Sequence, residues 1–173
     1  MMASRSPTPL ACPNQAELDW LLAQGIPIEA IATPVALMVA TGAAASDGLF
    51  ESRAAGPRWI AFGQEDDIVF WQPRTGELAR DTGRAFALGE SAISNPGTYA
   101  FDCSLNIFRG PVDWLASNRD GIVVLDWSQA FDRLRDAPRI AIAEPLLPTY
   151  RRFMKPARLP ELFVLPEHGR IAA

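Results

Sequence analysis

Cysteine and histidine are scarce in this chain, which limits the metal and nucleophilic chemistry open to it. The sequence holds only Cys12, Cys103 and His168, whereas a structural zinc site takes about four such ligands. A Cys103–His168 dyad is an alternative, since catalytic pairs meet in space rather than in sequence. A histidine so near the C-terminus is hard to hold in place, however. Cys103 is therefore better interpreted as a small apolar residue of the core.

Two carboxylates follow predicted strands and suggest divalent-metal chemistry. Glu90 follows the predicted strand 84–88, and Asp126 follows the apolar run 121–125. This layout resembles the toprim domain of primases and topoisomerases, where a Glu and a later Asp-x-Asp motif bind Mg²⁺. The second motif here is Asp126-Trp127-Ser128, so one carboxylate of three is missing. The resemblance implies a divergent magnesium-dependent phosphotransfer or nuclease-like enzyme with Glu90 and Asp126 as ligands; helix capping is the alternative role.

A basic stretch near the C-terminus suggests anion binding. It contains four cationic side chains within eight residues: Arg151, Arg152, Lys155 and Arg158. Such a group can grip a phosphate backbone, but helical periodicity turns Phe153 and Met154 inward and leaves an ordinary solvated basic face. The whole chain has a net charge of −4. We therefore expect no specific binding of nucleic acid.

Two tryptophans lie off the apolar stripes of predicted helices. At 100° per residue, Trp20 lies opposite the leucine stripe of helix 15–24, and Trp114 lies opposite the apolar stripe of helix 111–118. Such an indole is either covered by another segment or exposed to a partner, and tryptophan is enriched at interface hot spots. The sequence therefore predicts a protein-binding surface at Trp20 and Trp114, with burial under a loop as the alternative.

The elements that must position these residues are short. Asn14 and Gly25 bound a predicted helix over 15–24. The apolar runs 59–62 and 68–71 predict a hairpin, with Glu65, Asp66 and Asp67 at its solvated tip. The continuous apolar run 121–125 predicts a central strand covered on both faces.

The overall composition is that of one globular domain. The chain has 173 residues, 49% of them apolar, and its fifteen prolines favour short helices. We predict a single α+β domain over 14–166, with a mixed, partly parallel sheet, short helices and an N-terminal helical lead. Residues 1–13 are predicted to form a disordered tail, and 167–173 a C-terminal tail. Because 1–13 lacks the apolar core of a secretory signal, we expect a cytoplasmic location and no membrane binding.

Four motifs occur in a characteristic order. They are Leu18-Asp-Trp-Leu-Leu22 followed by Gly25-Ile-Pro27, Trp71-Gln-Pro-Arg-Thr-Gly76, Gly83-Arg-Ala-Phe86, and Pro111-Val-Asp-Trp-Leu115 followed by Gly121-Ile-Val-Val124. Together they resemble a family of uncharacterised alphaproteobacterial proteins of about this size, some of them in prophage-like neighbourhoods. That resemblance implies an accessory protein of a mobile element and brings no activity or cofactor. We therefore expect a small soluble accessory or binding protein rather than an enzyme, with no cofactor and with a protein as its partner.

Overall fold

Five antiparallel strands form the main sheet. The computed structural model describes residues 8–155. The strands are β1 (Met38–Ala44), β2 (Phe50–Ser52), β3 (Arg58–Gly63), β4 (Ile68–Trp71) and β5 (Leu78–Arg80). Their order across the sheet is β2-β1-β3-β4-β5. The predicted hairpin is confirmed as β3 and β4, which pair from Ile60–Trp71 to Gly63–Ile68.

Both faces of the sheet are buried, as the apolar sequences of β3 and β4 predict. On β3, Ile60 and Phe62 belong to a cluster that also contains residues of the helices, which we call the first core. Trp59 and Ala61 alternate with them and belong to a separate cluster, here called the third core. Successive side chains of a strand point to opposite faces, so β3 and β4 contribute to both cores.

The third core forms because the sheet curls over one of its own faces. The Phe50 ring stacks on Phe70 with 3.8 Å between ring centroids and meets Trp59 edge-on at 5.6 Å. Gly42 makes this approach possible, because a Cβ at that position would collide with the Phe50 ring and the backbone of Glu51. The Trp59 indole N–H donates to the Gly42 carbonyl at 3.0 Å, which fixes the curl.

Two short helices precede the sheet, α1 (Gln15–Ala23) and α2 (Ile28–Ala32). The predicted start of α1 is confirmed: the Asn14 side chain accepts from the Glu17 N–H, and Glu17 accepts from the Asn14 N–H. The same Glu17 carboxylate pairs with Arg58 at the start of β3. A capping box thus also ties α1 to the sheet.

The N-terminal tail prediction does not hold for the residues of it that are described. Ala11 and Val39 exchange two backbone hydrogen bonds of 2.8 Å, so the chain before α1 adds an antiparallel bridge to β1. The physical reason is that Val39 lies on an open edge of β1, where its backbone N–H and C=O need hydrogen-bond partners. Residues 1–7, the last part of the predicted domain over 156–166 and the predicted tail 167–173 lie outside the described residues.

The second half of the chain has shorter elements. Its strands are β6 (Ala87–Leu88), β7 (Leu105–Ile107), β8 (Val123–Val124) and β9 (Ile140–Ile142), and its helices are α3 (Pro111–Ala116), α4 (Ala130–Leu134) and α5 (Leu147–Phe153). β6 pairs antiparallel with β8, whereas β7 pairs parallel with β9. The predicted α+β class with partly parallel pairing is therefore confirmed. Among the described helices, none is long and apolar enough to cross a membrane.

The apolar run 121–125 is buried on both faces, as predicted, although it lies outside the main sheet. Val123 belongs to the first core. Its neighbours Ile122 and Val124 belong to another cluster, the second core, together with residues of α4. The run therefore separates two cores, and only two of its residues form a strand.

Candidate interaction surface

Trp114 is a core residue, so the prediction of an accessible indole there is wrong. Its side chain is 2% exposed, and its N–H donates to the Gly121 carbonyl at 2.8 Å. The face of α3 predicted to be outward is covered by another segment. Gly89 lies there without a side chain, and a Cβ on it would come within about 3.2 Å of the indole.

The Arg119 guanidinium covers the same indole, 5.7 Å from the ring centroid. Its Nε donates to the Ala30 carbonyl at 2.8 Å, which links the end of α3 to α2. Burial lowers the pKa of Arg119. Its Nη2 is buried without a hydrogen-bond partner within the described range. The side chain thus packs between α2 and the Trp114 ring.

Trp20 keeps 37% of its surface exposed, and its ring lies 6.0 Å from Trp71 at a tilted angle. The indole therefore covers the end of β4 with one side and faces solvent with another. Its role in binding a partner stays a prediction.

Glu90 and Asp126 both border Phe86. The Glu90 carboxylate accepts from the Phe86 N–H at 2.9 Å and contacts Arg133 at 3.3 Å. The backbone N–H groups of Leu125 and Asp126 donate to the Phe86 carbonyl. The two predicted ligands thus both bond to Phe86, Glu90 through its carboxylate and Asp126 through its backbone N–H, and each carboxylate has protein donors of its own.

Asp126 caps the helical turn that follows it. Its carboxylate accepts from the Ser128 hydroxyl and N–H at 2.6 and 3.0 Å, and from the Gln129 amide at 2.8 Å. These bonds lower the pKa of Asp126. Asp126 therefore has the capping role that the sequence offers as its alternative. Across residues 8–155, no cluster of three His, Cys, Asp or Glu side chains could hold a metal ion, and the magnesium site stays a prediction.

Asp67 is buried, whereas the hairpin tip was predicted to be solvated. Its two carboxylate oxygens accept four backbone N–H groups at 2.8 to 2.9 Å; the donors are Ile68, Thr82, Arg84 and Ala85. Burial by itself would raise the pKa of Asp67, but these donors outweigh it and hold the pKa below its ordinary value. Asp67 therefore fastens the turn between β5 and β6 to the hairpin, while Glu65 and Asp66 remain exposed.

The basic stretch is divided by the end of the described residues. Arg151, Arg152 and Lys155 are exposed at the C-terminal end of α5, while Arg158 lies outside the description. Phe153 and Met154 pack against the second core, as predicted. Within the described part of the chain, the three cations make no ion pair, and anion binding by them stays a prediction.

Sequence reasoning missed the most exposed large apolar side chain among the described residues. Phe101 is 100% exposed. It lies in residues 95–104, the Phe101 loop, where the 3₁₀ segment Pro96–Asp102 is interrupted by a kink at Ala100 and Phe101. Phe101 and Asp102 have φ values of 51° and 64°, which L-residues with bulky side chains rarely adopt.

One arginine holds this loop in place. The Arg139 guanidinium donates to the Tyr99 carbonyl at 2.9 Å, the Asp102 carboxylate at 2.7 Å and the Cys103 carbonyl at 3.1 Å. These acceptors lie on both sides of Phe101 in sequence. Left-handed residues and an unburied ring both cost free energy, and the Arg139 contacts offset part of it. The ring is therefore presented to solvent by a loop that Arg139 contacts on both sides of Phe101.

A groove of about 1370 Å³ adjoins the loop. Asn95 and Thr98 of the Phe101 loop line it, and Val35 and Gly89 lie on its other walls. Its rim carries both signs of charge, with Glu65, Asp66, Arg84 and Arg133 among the lining residues. The site as a whole is thus a protruding aromatic ring beside a mixed apolar and charged concavity.

No protein-family model matches the chain, and the searches of curated proteins and solved structures likewise find no match.

Proposed function

We propose that this protein is a non-catalytic binding module that contacts another protein through Phe101. One observation carries the proposal: a fully exposed phenylalanine on a loop that Arg139 fixes from three acceptors. An exposed Phe101 ring adds no stability to the isolated fold, whereas its burial in a partner removes a large apolar area from water. Aromatic side chains in well-packed pockets dominate many protein interfaces.

The three Arg139 contacts to the loop support binding rather than chance exposure, because they restrict the backbone around Phe101. A ring on a fixed backbone loses less conformational entropy when it is immobilised than a ring on a mobile tail. The left-handed residues are part of this argument, because strained backbone persists where the surroundings determine it and is often found at binding sites. Trp20 is a second candidate contact, since part of its indole remains exposed.

The charge of the chain favours a protein partner over a polyanion. A net charge of −4 opposes the approach of nucleic acid and of anionic lipid. Within this proposal the protein acts in the cytoplasm as an accessory protein of a mobile element, in line with the family resemblance of its motifs.

Site-specific photo-crosslinking tests the proposal directly. A benzophenone amino acid replaces Phe101 in the full chain, which preserves an aromatic ring at the exposed position. The matched control places the same probe at Ile28, which is 53% exposed on α2. We expect discrete protein adducts from position 101 in cells that express the protein, and none of the same mass from position 28. Equal labelling at both positions would refute the proposal.

A further inference from the structure

We propose that residues 161–165 of the same chain dock on the outer edge of β9 as an added strand and cover the second core. β9 is the last strand of its small sheet. It pairs with β7 on one side, and among the described residues no strand lies on its other side. This inference goes beyond the proposed function and does not depend on it.

The backbone of β9 offers hydrogen bonds along this outer edge. The Ala143 N–H donates to the Ile107 carbonyl of β7 at 3.0 Å. Alternate residues of a strand bond to alternate sides, so the N–H and C=O groups of Ile140 and Ile142 point away from β7. The strand is Ile-Ala-Ile, so it carries no charge that would keep another strand from pairing with it.

Two other strand edges in the fold are bridged by segments of the same chain. Leu49, next to β2, bridges to Arg80 of β5, so the two outer strands of the main sheet meet. Ala11, from the segment before α1, bridges to Val39 on the open part of β1. A segment after α5 would cover the edge of β9 in the same way.

The second core has the largest partly exposed surface of the three. Ten partly buried apolar residues pack around it, against five around the first core and three around the third. Ile140 and Ile142 are two of the ten, and Ala141 between them is exposed. An apolar strand on the edge of β9 would remove part of this surface from water.

The sequence after α5 contains a segment suited to this edge. Residues 161–165 read Glu-Leu-Phe-Val-Leu, and Pro160 and Pro166 bound them. Aromatic and β-branched residues favour strands, and a proline limits the pairing because it has no N–H. The segment thus has the composition and the length of a five-residue edge strand.

The segment is attached at the same core. Phe153 and Met154, at the end of α5, pack against the second core, as Ile140 and Ile142 of β9 do. Residues 156–160 can span up to about 17 Å, more than the roughly 10 Å between packed layers. This short covalent connection gives the segment an effective concentration on the order of millimolar, which favours it over a second copy or a foreign strand.

Amide hydrogen exchange of the full chain, followed by NMR, tests the pairing at single residues. We expect slow exchange at both Ile140 and Ile142, at rates that do not change over an about tenfold range of protein concentration. Phe163→Pro and Val164→Pro together should accelerate both amides at least about tenfold, because adjacent strand residues direct their N–H groups to opposite sides and one of the two must face β9. The Ala143 amide bonds to β7, so its unchanged protection shows that the variant is folded.

Ile171→Pro and Ala172→Pro together are the matched control, since they place two prolines outside the segment, and they should leave Ile140 and Ile142 protected. NOEs between β9 and residues 161–165 of the unmodified chain give a second readout, which holds even if the proline variant does not fold. Absence of these NOEs, or rapid exchange at Ile140 and Ile142 in the unmodified chain, would overturn the inference. So would protection that the prolines at 163 and 164 leave intact. Protection that grows with concentration would overturn it in favour of a second copy at this edge.

Discussion

The two halves of the molecule are held together by different means. Strands β1, β3 and β4 pair over four residues at each junction, so backbone hydrogen bonds define the first half. In the second half the paired segments have two or three residues, and single side chains organise the loops between them. Asp67, Glu90, Asp126 and Arg139 each bond to backbone groups of those loops.

This difference explains where the candidate interaction surface lies. A ladder of strands leaves little freedom to present an isolated side chain, because neighbouring residues are fixed by pairing. A loop held by a few side-chain contacts can adopt left-handed residues and project a ring. The Phe101 loop and most of the groove walls accordingly belong to the second half or to its junction with the hairpin.

The sharpest contrast is expected from the same substitution in both halves. Phe50→Ala should destabilise the fold by about 3–5 kcal/mol, because it empties the centre of the third core. Phe101→Ala should change stability by no more than about 0.5 kcal/mol, because its ring is exposed. Equilibrium denaturation of both variants gives the comparison. Equal losses would show that the Phe101 ring is packed.

The second-largest loss of stability is expected at Asp67, the carboxylate that joins the two halves. Asp67→Asn should cost about 2–4 kcal/mol, because an amide cannot accept four backbone N–H groups and brings donors of its own. Asp66→Asn, on the exposed neighbour, serves as the control and should be nearly neutral. Thermal or urea unfolding measures both.

The pH dependence of stability gives Asp67 a second signature. Its pKa is lower in the folded protein than in the unfolded chain. The unfolded chain therefore binds the proton more readily, and the contribution of Asp67 is fully present above about pH 4. It is lost as the pH falls through the folded pKa. The Asp67→Asn protein should show a shallower loss of stability in acid, and an unchanged slope would contradict the role assigned to this carboxylate.

Truncations within the apolar run 121–125 should have intermediate effects. Val123→Ala and Val124→Ala should each cost about 1–3 kcal/mol, since each removes buried methyl groups from a different core. Val35→Ala is the exposed counterpart and should be close to neutral in the monomer. If denaturation shows a loss of stability for only one of the two core variants, only one face of the run is tightly packed.

The smallest effect is expected from metal. Millimolar Mg²⁺ or Mn²⁺ should leave the Tm unchanged, because Glu90 and Asp126 already accept hydrogen bonds that a metal ion would have to displace. Asp126→Asn should likewise show no metal response. A rise in Tm that disappears in this variant would favour the toprim-like alternative.

Local patterns were sufficient where local interactions decide the structure. Asn14, Glu17 and Gly25 mark α1 within one short segment, and the apolar runs of β3 and β4 fix a hairpin across a short turn. The buried run 121–125 was also recognised from its composition. In each of these cases the decisive contacts involve nearby residues or the strand's own apolar pattern.

The wrong or missing predictions concern residues whose surroundings are formed by segments distant in the sequence. Nothing near Phe101 in the sequence indicates that Arg139 will contact its loop or that Phe101 and Asp102 will be left-handed, so the exposed ring was not predicted. Most of the N–H groups that donate to the Asp67 carboxylate lie in a turn 15 to 18 residues away. Trp114 was expected on an open face because helical periodicity cannot show that Gly89 brings backbone against that face.

The alternation of Ile122, Val123 and Val124 between two cores has a consequence for how the protein unfolds. Val123 packs in the first core and its two neighbours pack in the second, so neither core can lose its packing without disturbing the other. Despite the different construction of its halves, the molecule should therefore melt in one cooperative transition. Amide hydrogen exchange would show this as slow, similar protection at Ile122 and Leu125, whose N–H groups bond to Asn106 and Phe86. The short strand β8 would in this way join the two differently built halves into one cooperative unfolding unit.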